Sequence, residues 1–369
     1  MKFEVDRDSF CAVLARAAGV ASKATGMPIL RNVLLSAEMD KPVEMAATDL
    51  EISLRAHAQA IVHAPGRITV PAREMLAIMR GLWEQRATVE LSENMLQIMA
   101  GKSKRKIACI PAEGFPAIDP TSAMAFGPCD KAELSRAIAK TFFVIPSESN
   151  GFNISGAFIH KSASGDQYRM VSVDGHRLSW CGIGSHALSQ IEVGAGIVVP
   201  RKGLQEIMKI LEAPGDAAIA CDGVRLAIKT DEATLIVQLL DPAFPTYEDI
   251  IPAEERPFSI GVDAQRLHGT LVSMMPLFVS PTKNVRFHIG QNRLTLQSVA
   301  NPQGEAEDQI EIDYGDEEIS LYFNAKYWIE ALKAMDGKAR IEWIDGFHGA
   351  ILLDDGDKDC LNLIMPMVN

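Results

Sequence analysis

The sequence predicts an α+β protein of three like domains, each assembled from two βαβββ halves. One opening phrase occurs three times: Val5–Leu14, Pro128–Ile138 and Val262–Leu271 each lead from an acidic cap (Asp6, Asp130, Asp263) into an amphipathic helix. A second phrase follows each of these by roughly 60 to 70 residues, a spacing that marks repeated supersecondary units. Val70–Leu76, Val199–Leu204 and Phe323–Ile329 each run from a strand into a helix start.

The elements follow in order. Met1–Asp6 alternates charged and apolar residues as a strand does, and a helix is expected over 7–23. A second helix over 72–86 is followed by Thr88–Leu91, a short alternating strand, and then by a further strand and a turn. Glu113–Pro120 leaves the first domain, because proline suits an extended connection and cannot donate to a central ladder. The second block repeats the plan with helices over 131–140 and 201–212, a turn at Asp174-Gly175 between two strands, a strand at Ala217–Ala220 and an exit at Ala243–Tyr247. The third has helices over 263–275 and 325–338 and a strand at Ala339–Trp343, then ends the chain. The expected domains are 1–120, 128–246 and 253–369.

Composition bounds the class. A chain of 369 residues with 47% hydrophobic and 23% charged residues can bury an ordinary core in each third. Its start lacks the apolar run of a signal peptide, and no segment has the ~18 apolar residues of a membrane span, so no membrane partner is expected. Cys11, Cys109, Cys129, Cys181, Cys221 and Cys360 form no Cys-x-x-Cys pair. Reduced, mostly structural thiols in a cytoplasm are the expectation.

Charge is unevenly distributed. The chain carries −12 overall, which by itself argues against nucleic acid. The six expected helices nevertheless hold 16 Lys and Arg against 9 Asp and Glu, leaving −19 for the strands and loops. Any one basic helix face is ordinary; the same bias on five of six equivalent helices collects positive charge on one surface. Three repeats in an arc would leave a free sheet edge at each end, and head-to-tail pairing of two arcs would close a ring.

The chemical motifs in the chain are weak. Gly182-Ile183-Gly184-Ser185-His186-Ala187 has the spacing of a dinucleotide fingerprint but no room for the crossover helix before the strand-like Ile191–Pro200. Asp354–Asp359 resembles a calcium loop without its glycine or final glutamate and reads as a solvated turn. The eight histidines show no ligand spacing. No catalytic residue, metal site or cofactor is expected.

A family resemblance rests on phrases in order along the whole chain. These are Met1-Lys2-Phe3, Pro28-Ile29-Leu30, Thr48-Asp49-Leu50-Glu51, Val70-Pro71-Ala72-Arg73, Arg80-Gly81-Leu82, Phe115-Pro116, Asp174-Gly175-His176-Arg177-Leu178, Val199-Pro200-Arg201-Lys202-Gly203, Phe244-Pro245 with Tyr247, and Met365-Pro366-Met367. The chain resembles the beta subunits of bacterial DNA polymerase III, the sliding clamps. The resemblance implies three domains of the DNA-clamp fold in a head-to-tail homodimeric ring, helices lining the hole and sheets outside. It also implies a processivity factor rather than an enzyme, with sequence-independent duplex DNA, a DNA polymerase bound through a short linear motif, and an ATP-driven clamp loader as partners. The alternative is a specialised second clamp with another peptide preference.

By that resemblance a partner-peptide groove comprises Ile154, Val173, Gly175, His176, Arg177, Leu178, Pro245, Ile250, Asn324, Tyr327, Phe347, Leu363, Met365, Pro366 and Met367. The DNA channel would use Lys23, Arg73, Arg80, Lys131, Arg136, Arg201, Lys202 and Lys209, and the subunit seam Arg105, Leu277 and Phe278. The chain departs from the family pattern at Asp249, where a basic residue is common, at Arg105, where an aromatic residue is usual, and at the Val368-Asn369 ending.

Overall fold

Phe3 and Val5 are buried while Lys2, Glu4 and Asp6 are only partly covered, and this period of two makes Lys2–Asp6 the first strand, β1. Asp6 then caps α1 (Arg7–Val20), its carboxylate accepting from the Ser9 amide at 2.9 Å. A computed structural model describes the chain apart from residues 23–25, 119–120, 149–153, 163–164, 166, 185, 189–190, 192, 242, 253–255, 279–282, 300–301, 303, 336, 345–346 and 368–369, and the side chains of Phe347 and His348.

In the first third follow β2 (Asn32–Ala37), β3 (Val43–Thr48), β4 (Ile52–Ala58), β5 (Ala60–Ala64), β6 (Gly66–Pro71), α2 (Ala72–Arg80), β7 (Arg86–Ser92), β8 (Met95–Ala100) and β9 (Ser103–Ala108). The second holds β10 (Gly127–Cys129), α3 (Lys131–Thr141), β11 (Gly156–Lys161), β12 (Gln167–Val173), β13 (Arg177–Gly184), β14 (Ile197–Pro200), α4 (Arg201–Leu211), β15 (Ala217–Cys221), β16 (Arg225–Lys229) and β17 (Ala233–Gln238). The last holds β18 (Phe258–Asp263), α5 (Ala264–Met274), β19 (Asn284–Gly290), β20 (Arg293–Ser298), β21 (Glu307–Glu311), β22 (Ile319–Asn324), α6 (Ala325–Lys333), β23 (Lys338–Ile344), β24 (Phe347–Asp354) and β25 (Asp357–Ile364). α2 and α6 stop short of the expected ends because Arg86 and Lys338 open β7 and β23. Gly81 closes α2, its amide donating to Ala77 O at 3.1 Å.

The chain forms two compact units, one of residues 1–131, 186–194 and 202–240, the other of residues 132–185, 195–201 and 241–369. The first unit has a five-stranded sheet, β5-β1-β7-β8-β9, and an eight-stranded sheet, β10-β15-β16-β17-β4-β3-β2-β6. The second has an eight-stranded sheet, β14-β11-β12-β13-β25-β24-β23-β18, and a four-stranded sheet, β21-β20-β19-β22. The repeat thus does not give each third sheets of its own. β17 pairs with β4 from Ala233↔Ala56 to Val237↔Ile52, and β13 pairs with β25 from Arg177↔Ile364 to Cys181↔Cys360. Strand edges that would otherwise face water are consumed by these junctions.

Apolar side chains fill the space between helices and sheets. In the second unit Trp328 of α6 lies 4.6 Å from Phe287 and 5.1 Å from Phe323 between ring centroids, in a cluster with Leu267 and Leu271 of α5. Each such fully buried side chain contributes about 1.5–3 kcal/mol. Phe278 belongs to this cluster and is 2% exposed, its side chain packing within its own domain, and Leu277 beside it is half-buried.

Two sequence expectations are corrected. Cys181 and Cys360 are joined as a disulfide, because the β13–β25 register sets them directly opposite one another, a long-range pairing that cysteine spacing cannot reveal. The other four cysteines are free thiols, and burial pushes their thiols up, Cys129 to about 11. Within Asp354–Asp359 only Asp355-Gly356 is a turn, joining the end of β24 to the start of β25, and the segment is not wholly solvated. Asp354 is 3% exposed and bonded to Lys140 Nζ at 2.8 Å, and Asp357 accepts from Arg136 at 2.7 Å.

Candidate functional site

The Asp174-Gly175 turn between β12 and β13 organises one wall of the expected groove. Gly175 has φ +82°, which glycine adopts without strain, and Asp174 Oδ1 accepts from the amides of His176 and Arg177 at 3.0 Å each. Arg177 turns inward. Its Nε donates to Asp174 Oδ2 at 2.8 Å, Nη1 to Glu330 Oε2 at 2.6 Å and Nη2 to Phe143 O at 2.9 Å, while the guanidinium lies 4.3 Å from the Tyr327 ring centre. His176 stacks over the same ring at 6.2 Å, and burial pushes the Tyr327 phenol up. An arginine this fully satisfied is a brace for the wall, not a free charge for a ligand.

β25 supplies the other wall. The Met365 amide donates to His176 O at 2.9 Å and the Met367 amide to Tyr322 O at 2.7 Å, so backbone bonds hold the half-buried tail beside the turn and β22. Val173, Leu178, Leu363 and Met365 meet Phe244, Tyr247 and Ile251 in one small apolar cluster. Pro245 and Ile250 are exposed on the same connecting segment, Ile154 is half-buried, and Asn324 caps α6 by accepting from the Lys326 amide at 3.0 Å. The Phe347 side chain lies outside the described residues.

That connecting segment is anchored by aromatic contacts. Phe244 stacks on Phe158 at 4.8 Å, and the Tyr247 hydroxyl, pushed up to about 12 by burial, lies 2.8 Å from His160 Nε2. Nδ1 of His160 donates to Lys161 O at 2.7 Å, which leaves Nε2 to accept from the tyrosine. Burial holds the imidazole below its ordinary 6.5 despite the nearby Glu248. The unfolded chain therefore binds the proton first, and this stabilisation is complete above pH 6.5 and lost as pH falls below it. Thermal melts should show a lower midpoint at pH 5.5 than at pH 7.5, and His160→Gln should flatten that slope; an unchanged slope would remove His160 as its source.

The expected DNA-channel residues divide. Arg73 and Arg80 are exposed on α2. Lys131 donates to Ala213 O and Gly215 O, and Arg201 to Phe142 O and Ile145 O with its guanidinium 4.2 Å from the Phe142 ring centre. These bonds to carbonyls leave their charge uncancelled. Arg136 is paired with Asp357 and Lys202 with Asp49, so strand and loop carboxylates neutralise part of the helical excess, while Lys209 is paired with Glu206 of its own helix. Lys23 lies outside the described residues.

Family models of the DNA polymerase III beta subunit account for nearly the whole chain: the N-terminal domain matches residues 1–119, the central domain 129–246 and the C-terminal domain 249–368. The chain belongs to this family. Among its family relatives, the beta sliding clamp of Pseudomonas putida is 29% identical over 371 residues, with 100% of both chains covered. That of Caulobacter vibrioides is 27% identical over 376 residues, again with 100% of both covered. The solved structure of the Caulobacter crescentus polymerase III beta matches with a TM-score of 0.90 at 26% identity over 100% of both chains. A Pseudomonas aeruginosa sliding clamp bound to griselimycin matches at 0.89 with 26% identity over the same full coverage. The three-domain clamp fold is therefore the family's own.

Three supports of the expected groove are not singled out by the sequence. Glu330 follows Tyr327 by three residues on α6, a helical neighbour spacing that could have exposed it. Phe143 and Phe158 reach the site only through tertiary packing and carry no local signal.

Proposed function

We propose that two copies of the chain close head to tail into a ring around duplex DNA, and that the ring tethers DNA polymerase by a short linear motif seated in the groove described above. The observation that carries the ring is a pair of complementary open edges. Among the described residues β9 pairs only with β8 and exposes Lys104, Arg105 and Lys106, and β21 pairs only with β20 and carries Glu307, Asp308 and Glu311. Each edge offers unpaired backbone groups to a new strand, with side chains of opposite sign. Register adds the face. Arg105 lies opposite Ile98 and Asp308 opposite Leu296, both core residues, so both charges stand on the core side of their sheets. Arg105 and Asp308 would there replace an apolar seam contact with an ion pair.

A closed ring resists escape even when each phosphate contact is weak, so the affinity can stay low enough for sliding. Arg73, Arg80, Lys131 and Arg201 would meet the backbone without reading bases. Opening such a ring calls for an ATP-driven loader acting on the chain; no cofactor of the chain itself is invoked. The test is retention: loaded protein should persist on circular DNA, leave once the circle is cut, and bind linear DNA weakly. Arg73→Glu with Arg80→Glu should lower loading while shifting stability by no more than about 0.5 kcal/mol, since both are surface charges. Equal retention on cut and uncut circles would overturn encirclement.

A further inference from the structure

Cys181 and Cys360, 179 residues apart in sequence, close a two-strand ladder whose other end carries Arg177 and Ile364. Their Cα atoms are 4.2 Å apart, the spacing of a close cross-strand pair whose side chains lie against each other without any rearrangement of the backbone. The pair is buried, Cys181 at 0% and Cys360 at 4% exposure, and it is not alone. Arg136 of α3 sets Nη1 at 3.2 Å from Cys181 Sγ and 3.4 Å from Cys360 Sγ, with the same nitrogen 2.7 Å from Asp357 Oδ2 and Nη2 2.7 Å from Gly182 O. The guanidinium favours a thiolate, which is both the nucleophile and the leaving group of disulfide exchange, while the Asp357 carboxylate, whose Oδ2 accepts from Cys360 Sγ at 3.4 Å, opposes the charge at Cys360 and offers its proton an acceptor. The thiols of Cys11, Cys109, Cys129 and Cys221 are instead pushed up by burial.

We propose that Cys181 and Cys360 form a reversible oxidation site, taking low-molecular-weight disulfides as co-reactant, and that its oxidation locks the C-terminal strand β25 onto β13. Cys360, the more accessible sulfur, attacks one sulfur of the small disulfide as the thiolate, forming a mixed disulfide and releasing the first small thiolate. Cys181 then attacks the Cys360 sulfur of the mixed disulfide and expels the second. Two protein thiols and one small disulfide become one protein disulfide and two small thiols, which carry away both protons. Arg136, its side chain about a third exposed, is the cover between the sulfurs and solvent. Cys181, Cys360 and Asp357 also group their ligand atoms within 4.8 Å, as a metal site would, but Arg136 already brings a cation onto all three. β25 runs on into Met365–Met367, so the lock lies beneath the tail; the oxidation site itself does not rest on the groove reading.

The test uses the full-length native protein in glutathione buffers of graded poise, quenched with acid, alkylated after unfolding and weighed intact. Toward the oxidising end the mass should lose two alkyl groups together, and digestion should recover a Cys181–Cys360 linked peptide while the remaining cysteines stay alkylated. Cys181→Ser and Cys360→Ser should each abolish the paired loss. Arg136→Gln should slow disulfide formation by roughly 3-fold, the lost thiolate being partly offset by higher nucleophilicity, with Arg136→Lys restoring part of the rate. Amide exchange at Leu361–Ile364 should be slower in the oxidised protein. Linkage of other cysteines, six alkylated thiols at every poise, an unchanged rate in Arg136→Gln, exchange at β25 indifferent to oxidation, or alkylation of the reduced pair blocked by added zinc alone would each overturn the proposal.

Discussion

Replacing Lys104, Arg105 and Lys106 together by glutamate is expected to leave a 40.2 kDa monomer, where the proposed dimer of the unaltered chain would sediment at about twice that mass. All three residues are exposed on β9, which among the described residues pairs only with β8, so the change is expected to leave the fold of its own sheet intact. Across a β9–β21 seam the same change sets three glutamates against Glu307, Asp308 and Glu311. Directly opposed like charges destabilise a strand pair about as much as unlike charges support it, roughly 0.2–1 kcal/mol each. With Arg105 opposite Asp308, one flanking lysine faces Glu307, and two reversals, each losing an attraction and gaining a repulsion, add about 0.8–4 kcal/mol, or ~4- to ~900-fold in the dissociation constant. High salt should partly rescue the dimer by screening the repulsion. The decisive control reverses both edges in one chain: Glu307→Lys, Asp308→Lys and Glu311→Lys added to the first three changes should restore the dimer. Dimerisation that survives the first triple change would place the seam elsewhere.

Why β9 and β21 meet this description was only partly legible in the sequence. The repeat predicts that an arc of three domains ends in two open edges, and charge counting finds basic helices. Neither identifies which strands remain open, because that depends on strand order, and β17 joining β4 and β13 joining β25 are pairings between residues about 180 positions apart. Helix starts were the most legible, since capping is local: Asp6, Asp263 and Asn324 each accept from an amide two or three residues ahead. Helix ends were less so. The apolar pattern runs on past α2 and α6 through Leu82 and Met335, yet the helices end at Arg80 and Lys333, before the strands that open at Arg86 and Lys338. At the groove, Arg177 and Met365 stand out as motif residues, while the partners that fix Arg177 lie on α6 and after α3. Charge was the least transferable reading: Arg136, Lys202 and Lys209 count as helical excess in the sequence, yet each has a carboxylate partner in the fold.

Deleting Met365–Asn369 is expected to abolish binding of a Leu/Phe-anchored polymerase peptide while leaving the dimer intact. The deletion removes the backbone bonds from Met365 to His176 O and from Met367 to Tyr322 O, together with the Met365 side chain from the cluster of Val173, Leu178 and Leu363. Two net backbone bonds at a chain end cost the fold only about 1–3 kcal/mol. The peptide loses more. Two or three apolar contacts at about 1.5–3 kcal/mol each weaken a micromolar complex by at least ~100-fold, beyond detection in an ordinary titration. The proposed seam lies on β9 and β21, so the sedimenting mass should not change. Met365→Ala with Met367→Ala separates the two roles of the tail: it keeps both backbone bonds and should still cost most of the affinity, because methionine provides adaptable contact surface that alanine lacks. Peptide affinity untouched by the deletion would remove the groove assignment, and a monomeric product would show that the tail serves assembly instead.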